Sequence, residues 1–204
     1  IASLSEFAGR TPGFTFQQQS PLEQEAFIRG VGTLRLNSAT ADPSIGLFLN
    51  EVYIGRRGAG TPPIFDLERV EVLRGPQGTI FGKNVVGGAV SLVTAAPQFT
   101  PGAGGYLAIG NHDTVQSEAY VTGPVSEKIA IRASGYVNRH SGFSRNIVTG
   151  QELDDMKSVG GRVSLLAEPT DALKISIVAD ISRDRSGGQA RHAVGDPTRP
   201  GIGP

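Results

Sequence analysis

Three stretches of this chain alternate apolar and polar residues over about ten positions each, and a sustained period of two leaves little choice of local structure. In residues 128–138 the odd positions are Ile129, Ile131, Ala133, Gly135 and Val137, while the even ones include Arg132, Ser134 and Asn138. Residues 159–168 set Val159, Gly161, Val163, Leu165 and Ala167 against Arg162, Ser164 and Glu168. Residues 173–182 set Leu173, Ile175, Ile177, Ala179 and Ile181 against Lys174, Ser176, Asp180 and Ser182. A fourth run, 115–123, keeps Gln116, Glu118 and Thr122 on its polar side. Successive side chains of an extended strand point to opposite faces, so each run predicts a strand with one apolar and one polar face.

Two environments satisfy that pattern: a soluble antiparallel β-sandwich, and a β-barrel spanning a membrane with its apolar face to lipid. Run length matches the roughly 9–11 residues that a tilted strand needs to cross a bilayer. The connections are unequal as well. Turns at 123–127 and 169–172 are short, whereas 140–157 and 185–204 are long and polar. Short turns at one edge and long loops at the other favour the barrel. Tyr120 and Tyr136 fall on the polar side and Trp is absent, so no aromatic girdle supports this choice. No stretch approaches the ~18 consecutive apolar residues of a transmembrane helix.

Composition narrows the function. Gly accounts for 28 of 204 residues, spread along the chain, which favours turns and bulges. Nineteen Lys+Arg balance nineteen Asp+Glu, so long-range attraction favours no nucleic-acid partner. There is no cysteine, and His112, His140 and His192 stand isolated from one another and from carboxylates at ligand spacing. Neither Ser141-Gly142 nor Ser186-Gly187 forms a nucleophile elbow. The segment Gly78-Thr79-Ile80-Phe81-Gly82-Lys83-Asn84 has three residues between its glycines and Asn after Lys, so it fails the phosphate-loop pattern. An enzyme is not expected, nor a bound cofactor or metal.

Rhythm changes at Ala95-Ala96-Pro97-Gln98, which places a boundary between residues 1–98 and 99–204. Before it, Ser3-Leu4-Ser5-Glu6 has the form of a capping box and predicts a short helix ended by Thr11-Pro12-Gly13. Residues 26–32 (AFIRGVG) read as a strand breaking at glycines, and residues 45–54 (IGLFLNEVYI) as two short strands around Asn50-Glu51. A helical turn is expected at Asp66-Leu67-Glu68, then strands at 70–74 and 89–94.

Residues 65–97, FDLERVEVLRGPQGTIFGKNVVGGAVSLVTAAP, closely resemble the plug-domain signature of TonB-dependent outer-membrane receptors. TPGF (11–14), FIRGVGT (27–33) and PSIGLFLNEVYIGR (43–56) follow the family's order, with Asn50-Glu51 where Asp-Gly is common. The resemblance implies a small α/β plug domain, then the first strands, about five, of a large transmembrane β-barrel. Five strands cannot close without leaving edges unpaired in lipid, so the chain is expected to be a fragment of a longer receptor. It also implies TonB-dependent import of a scarce nutrient across the outer membrane of a Gram-negative bacterium, most often a ferric siderophore. Partners would then be TonB with its inner-membrane complex, a bulky iron chelate and outer-membrane lipid. A sensor-transducer of the same family and a soluble β-rich binding module are the alternatives.

Within that resemblance Arg29 and Arg74 are expected to lock the plug against barrel-wall glutamates. Gly75, Gly78, Gly82, Gly87 and Gly88 are expected to serve positive φ or close backbone approach. Arg56, Arg57 and Phe81 are expected on plug loops facing the substrate, where paired arginines suit an anionic chelate.

Overall fold

The computed structural model describes residues 4–20, 23–33, 43–54, 64–82, 85–146 and 149–187. Ser3, Arg56, Arg57, Lys83 and Asn84 lie outside these. A helix, α1 (Leu4–Gly9), leads into a hairpin of β1 (Phe14–Ser20) and β2 (Glu23–Ile28). Next come β3 (Ile45–Leu49), β4 (Val52–Tyr53), β5 (Leu67–Arg74), α2 (Gly78–Phe81) and β6 (Gly88–Thr94). The strands β3 to β6 form one mixed sheet in the order β4-β3-β6-β5, with β3 and β6 parallel. The strand β6 lies inside the sheet and is buried along nearly its whole length, as its unbroken GAVSLVT run requires. Val90 and Leu92 pack there with Phe14, Ile28 and Ile45. Phe48, Val85 and Ala89 form a second cluster.

The predicted hairpin is present, and both turn residues are left-handed, Asn50 at φ 48° and Glu51 at φ 69°. The asparagine holds this turn from its side chain as well. Its Oδ1 accepts the Thr94 N–H at 3.0 Å and its Nδ2 donates to Thr94 Oγ1 at 3.0 Å, tying the hairpin to the end of β6. The expected helical turn at Asp66-Leu67-Glu68 is corrected. Asp66 is left-handed at φ 51° and Leu67 already belongs to β5, so the chain kinks rather than coils there. In this N-terminal part, two of the described elements escaped the sequence reading: β1, and the single helical turn α2 inside the glycine-rich segment.

The second sheet contains β7 (Gly102–Gly110), β8 (Thr114–Ser126), β9 (Ile129–His140), β12 (Met156–Thr170) and β13 (Leu173–Asp184). All neighbours are antiparallel, in the order β13-β12-β9-β8-β7. A small hairpin, β10 (Ser144–Arg145) with β11 (Glu152–Leu153), occupies the long connection between β9 and β12. The short turns are tighter than the sequence predicts. β8 runs through Pro124 to Ser126 and β12 through Pro169 to Thr170, each with a register shift beside the proline. A bulge spares the ladder bond that proline cannot donate, so these prolines sit within strands instead of ending them.

The two faces differ as the alternation predicts. Leu107, Ile109, Val121, Ile131, Val163 and Ile177, all odd-numbered, are exposed. Even-numbered Thr122, Arg132, Arg162 and Ser164 are buried against the N-terminal part of the chain. A contiguous apolar face of this extent would be an aggregation liability in water and is the natural surface for lipid. Polar-side Tyr120 and Tyr136 find partners there too: Tyr120 lies under the Arg132 guanidinium, and the Tyr136 ring packs at a tilt against Phe65, 4.7 Å between centroids.

Candidate functional site

Where the first sheet meets the polar face of the second, Phe65 and Asp66 reach three successive strands. From β8, Glu118 accepts the Asp66 backbone N–H at 2.7 Å. From β9, Arg132 Nε donates to both carboxylate oxygens of Asp66, at 2.8 and 3.1 Å, and its Nη2 pairs with Asp66 Oδ1. From β12, Arg162 Nη1 donates to the Phe65 carbonyl at 3.0 Å, and its guanidinium lies 4.4 Å from the Phe65 ring centroid. The other face of the cluster is closed by β13, where Asp180 Oδ1 accepts from Arg162 Nε at 2.7 Å.

Register explains why these groups meet. Arg132 stands opposite Ser164, and Arg162 opposite Ser134, so the two arginines lie diagonally on the same face of neighbouring strands. Asp180 pairs directly with Arg162 across the β12–β13 ladder. The kink at Asp66 then turns its carboxylate into the space between the arginines. Side-chain exposure is 3% at Asp66, 7% at Arg132 and 1% at Arg162, so the charges are taken out of water and have to satisfy one another. Burial by itself would push the Asp66 carboxyl up. Hydrogen bonding from Arg132 and the charges of Arg132 and Arg162 together outweigh it and hold the group below the usual carboxylate range.

The clamp also fixes the base of a hairpin. The Asp66 carbonyl accepts the Ala95 N–H at 2.9 Å, so the start of β5 and the end of β6 are joined at the clamp residue. Three residues further on, the Gln98 N–H donates to Thr122 Oγ1 of β8 at 2.9 Å.

Arg56 and Arg57 fall outside the described residues, and the other predicted site residues lie elsewhere. Arg74 is exposed and its Nη2 donates to the Pro12 carbonyl at 2.9 Å. Arg29 is exposed and left-handed at φ 52°, and its backbone N–H donates to the Gly13 carbonyl at 2.7 Å. The two arginines therefore meet the same turn after α1, and both of these bonds stay within the N-terminal part. Phe81 is half-buried with its ring 4.6 Å from that of Phe48. Gly75 (φ 85°) and Gly82 (φ 76°) take the left-handed backbone expected of them. At Gly88, φ is 141° and an added Cβ would collide with the Leu73 carbonyl, so both glycine demands coincide. Gly87 is packed by Ile45 and Val31, whose side chains leave no room for a Cβ. Gly78 meets neither demand: its φ is not left-handed and the space beside it is open.

Sequence reasoning assigned Arg132, Arg162 and Glu118 to the polar face but gave them no partner. The usable signal was the arginines themselves. A charged side chain on the covered face of a membrane strand has to be answered by whatever covers it, and Asp66 opens the adjacent segment.

A sheet that faces lipid on one side and holds a small α/β domain against its polar side is a segment of a plugged outer-membrane barrel. Residues 1–89 match the family model described as TonB-dependent Receptor Plug Domain. The ferrioxamine receptor of Yersinia enterocolitica is 30% identical over 122 residues, covering 60% of this chain and 16% of that protein. The pesticin receptor of Yersinia pestis is 32% identical over 110 residues, covering 52% of this chain and 16% of that protein. Among solved structures, the ferric yersiniabactin uptake receptor from Yersinia pestis aligns with a TM-score of 0.79 at 24% identity, over 92% of this chain and 30% of that one. The pyoverdine outer-membrane receptor from Pseudomonas aeruginosa aligns with a TM-score of 0.71 at 19% identity, over 89% and 25%. The chain belongs to the TonB-dependent outer-membrane receptors. It spans about a sixth of the length of these curated relatives.

Proposed function

We propose that the receptor carrying this chain imports a ferric siderophore across the outer membrane, driven by TonB. The observation that carries the reading is the Phe65–Asp66 clamp, which holds a folded plug against the polar face of lipid-facing strands. A lumen wide enough for a bulky chelate would leak unless filled, and an outer membrane without a nucleotide pool needs its energy delivered mechanically. Relatives named for ferrioxamine and for ferric yersiniabactin uptake support an iron chelate as the cargo. In this reading residues 1–98 form the plug and 99–204 begin the barrel. Arg56, Arg57 and Phe81 contact the chelate, and Arg29 and Arg74 lock the plug through wall carboxylates.

Uptake of radioiron-labelled siderophores by cells producing the intact receptor tests this. Accumulation should require both the receptor and TonB. Equal uptake without TonB, or none for any iron chelate, would overturn the proposal. Arg74→Ala should lower uptake while the barrel still inserts, and normal uptake by that variant removes the locking role of Arg74.

A further inference from the structure

We infer that Arg139, Lys157 and Arg183 form a site for a phosphorylated lipid headgroup on the outer surface of the barrel, at the end of the apolar face nearest the long loops. Nothing in this depends on the cargo or on TonB; it needs only the lipid-facing side of the second sheet.

Three adjacent strands end their lipid-facing rows in the same way. On β9, Ile129, Ile131, Ala133, Gly135 and Val137 are followed two residues on by Arg139. On β12, read backwards, Ala167, Leu165, Val163, Gly161 and Val159 are followed by Lys157. On β13, Leu173, Ile175, Ile177, Ala179 and Ile181 are followed by Arg183. Each apolar row spans about 27 Å along its strand, and about 20 Å across the bilayer at a ~40° tilt, close to the ~25 Å apolar band of an outer-membrane barrel. The basic residues therefore stand at headgroup level, and the long loops beside them place that level on the outer leaflet.

Register brings the three together. Lys157 pairs directly with Arg139, and Arg183, opposite Val159, is its diagonal neighbour on the same face. Opposed and diagonal positions lie roughly 5 Å and 7–8 Å apart, within reach of one headgroup for side chains as long as these. Like charges placed directly opposite each other are destabilising, and an anion from outside relieves them. The chain itself supplies little: Asp155 Oδ2 pairs with Lys157 Nζ at 3.0 Å, while its Oδ1 accepts the Gly187 N–H at 2.8 Å. Arg139 and Arg183 are exposed, and among the described residues no carboxylate is bonded to either. Asp184 lies on the other face, opposite Ser158, and accepts the Ser186 N–H at 2.8 Å. The short-turn edge is different. There Lys174 pairs with Glu168 at 3.5 Å and Lys128 Nζ donates to the Pro169 carbonyl at 2.7 Å, so its cations are answered within the chain. Two guanidinium forks and an ammonium, facing outward at headgroup depth, match the oxygens of a phosphate carried by lipid.

Native mass spectrometry of the intact receptor in neutral detergent tests this with bisphosphorylated lipid A, the same lipid stripped of its phosphates, and inorganic phosphate. The wild type should retain the bisphosphorylated lipid and neither of the others. A basic residue beside an anionic headgroup is worth about fivefold in binding, so Arg139→Gln should retain about fivefold less lipid, and Arg139→Gln with Arg183→Gln about twenty-fivefold less. Arg139→Lys keeps the charge and should bind nearly as the wild type does, and Lys128→Gln at the opposite edge should change nothing. Equal retention of the phosphorylated and stripped lipids, capture of inorganic phosphate in place of the lipid, or full retention by the double variant would overturn the inference. So would equal losses in Arg139→Lys and Arg139→Gln.

Discussion

Replacing Asp66 by asparagine keeps the shape of the side chain and removes its charge, leaving Asp180 as the carboxylate bonded to the pair of guanidinium groups, through Arg162. Both arginines are nearly inaccessible to water, and Asp180, which stays paired with Arg162, is 34% exposed. Breaking one side of a buried ion pair costs roughly 3–5 kcal/mol. The amide oxygen can still accept from Arg132, and Asp180 still serves Arg162, so the lower end, about 3 kcal/mol, is expected. At ~1.4 kcal/mol per factor of ten, that corresponds to about a hundredfold loss of hydrogen-exchange protection wherever opening proceeds through undocking from the wall. The assay is exchange followed by mass spectrometry on peptides from residues 67–98, with the Ala95 amide the most informative because it bonds Asp66 directly. Arg69→Gln is the control. It removes an exposed guanidinium that, among the described residues, pairs with Glu68 and Glu71 on its own strand, and should leave exchange unchanged. A loss of protection below tenfold in Asp66→Asn would refute the reasoning that the clamp carries the docking.

Gly88→Ala should destabilise the β5–β6 hairpin by more than the ~1–3 kcal/mol of an unfavourable backbone alone, because the new methyl also strikes the Leu73 carbonyl; thermal unfolding of the receptor in detergent measures it. Asn50→Ala should cost about 1–3 kcal/mol by stranding the Thr94 donor and removing a residue that tolerates φ 48°, and Asn50→Asp should recover part of that loss in the same assay. The Asp66 carboxyl is held below its ordinary value when the plug is docked. Its contribution is therefore fully present above about pH 4, where an undocked aspartate is ionised, and fades as pH falls through the lowered value. Protection of residues 67–98 should accordingly be flat from neutral pH to about pH 5 and fall below pH 4, and Asp66→Asn should flatten that acid limb.

The parts of this fold legible in the sequence are those governed by local rules. Period-two runs gave the long strands and their lipid face, and the Asn50-Glu51 punctuation gave the hairpin. The clamp was not legible, because Arg132 and Arg162 lie 66 and 97 residues from the groups they hold. No short-range pattern registers such pairings. The same long-range contacts accompany the failure at Asp66-Leu67-Glu68. Read locally these residues make a helical turn, but the groups around Asp66 accommodate it in a left-handed kink beside a strand. Pro124 and Pro169 misled in the opposite sense. Each looks like a turn residue, yet each is absorbed in a bulge, and the strands run further than composition implies.

One face of the second sheet meets lipid and the other meets the plug, and β12 carries both in alternate residues. Nitroxide labels placed singly from residue 158 to residue 167 of the receptor in a bilayer test this directly. Odd positions, Val159, Gly161, Val163, Leu165 and Ala167, should be reached by oxygen dissolved in lipid and shielded from a water-soluble relaxant. Even positions, among them Arg162 and Ser164, should be immobilised and shielded from both. Water-accessible odd positions, or no alternation along the strand, would contradict the account.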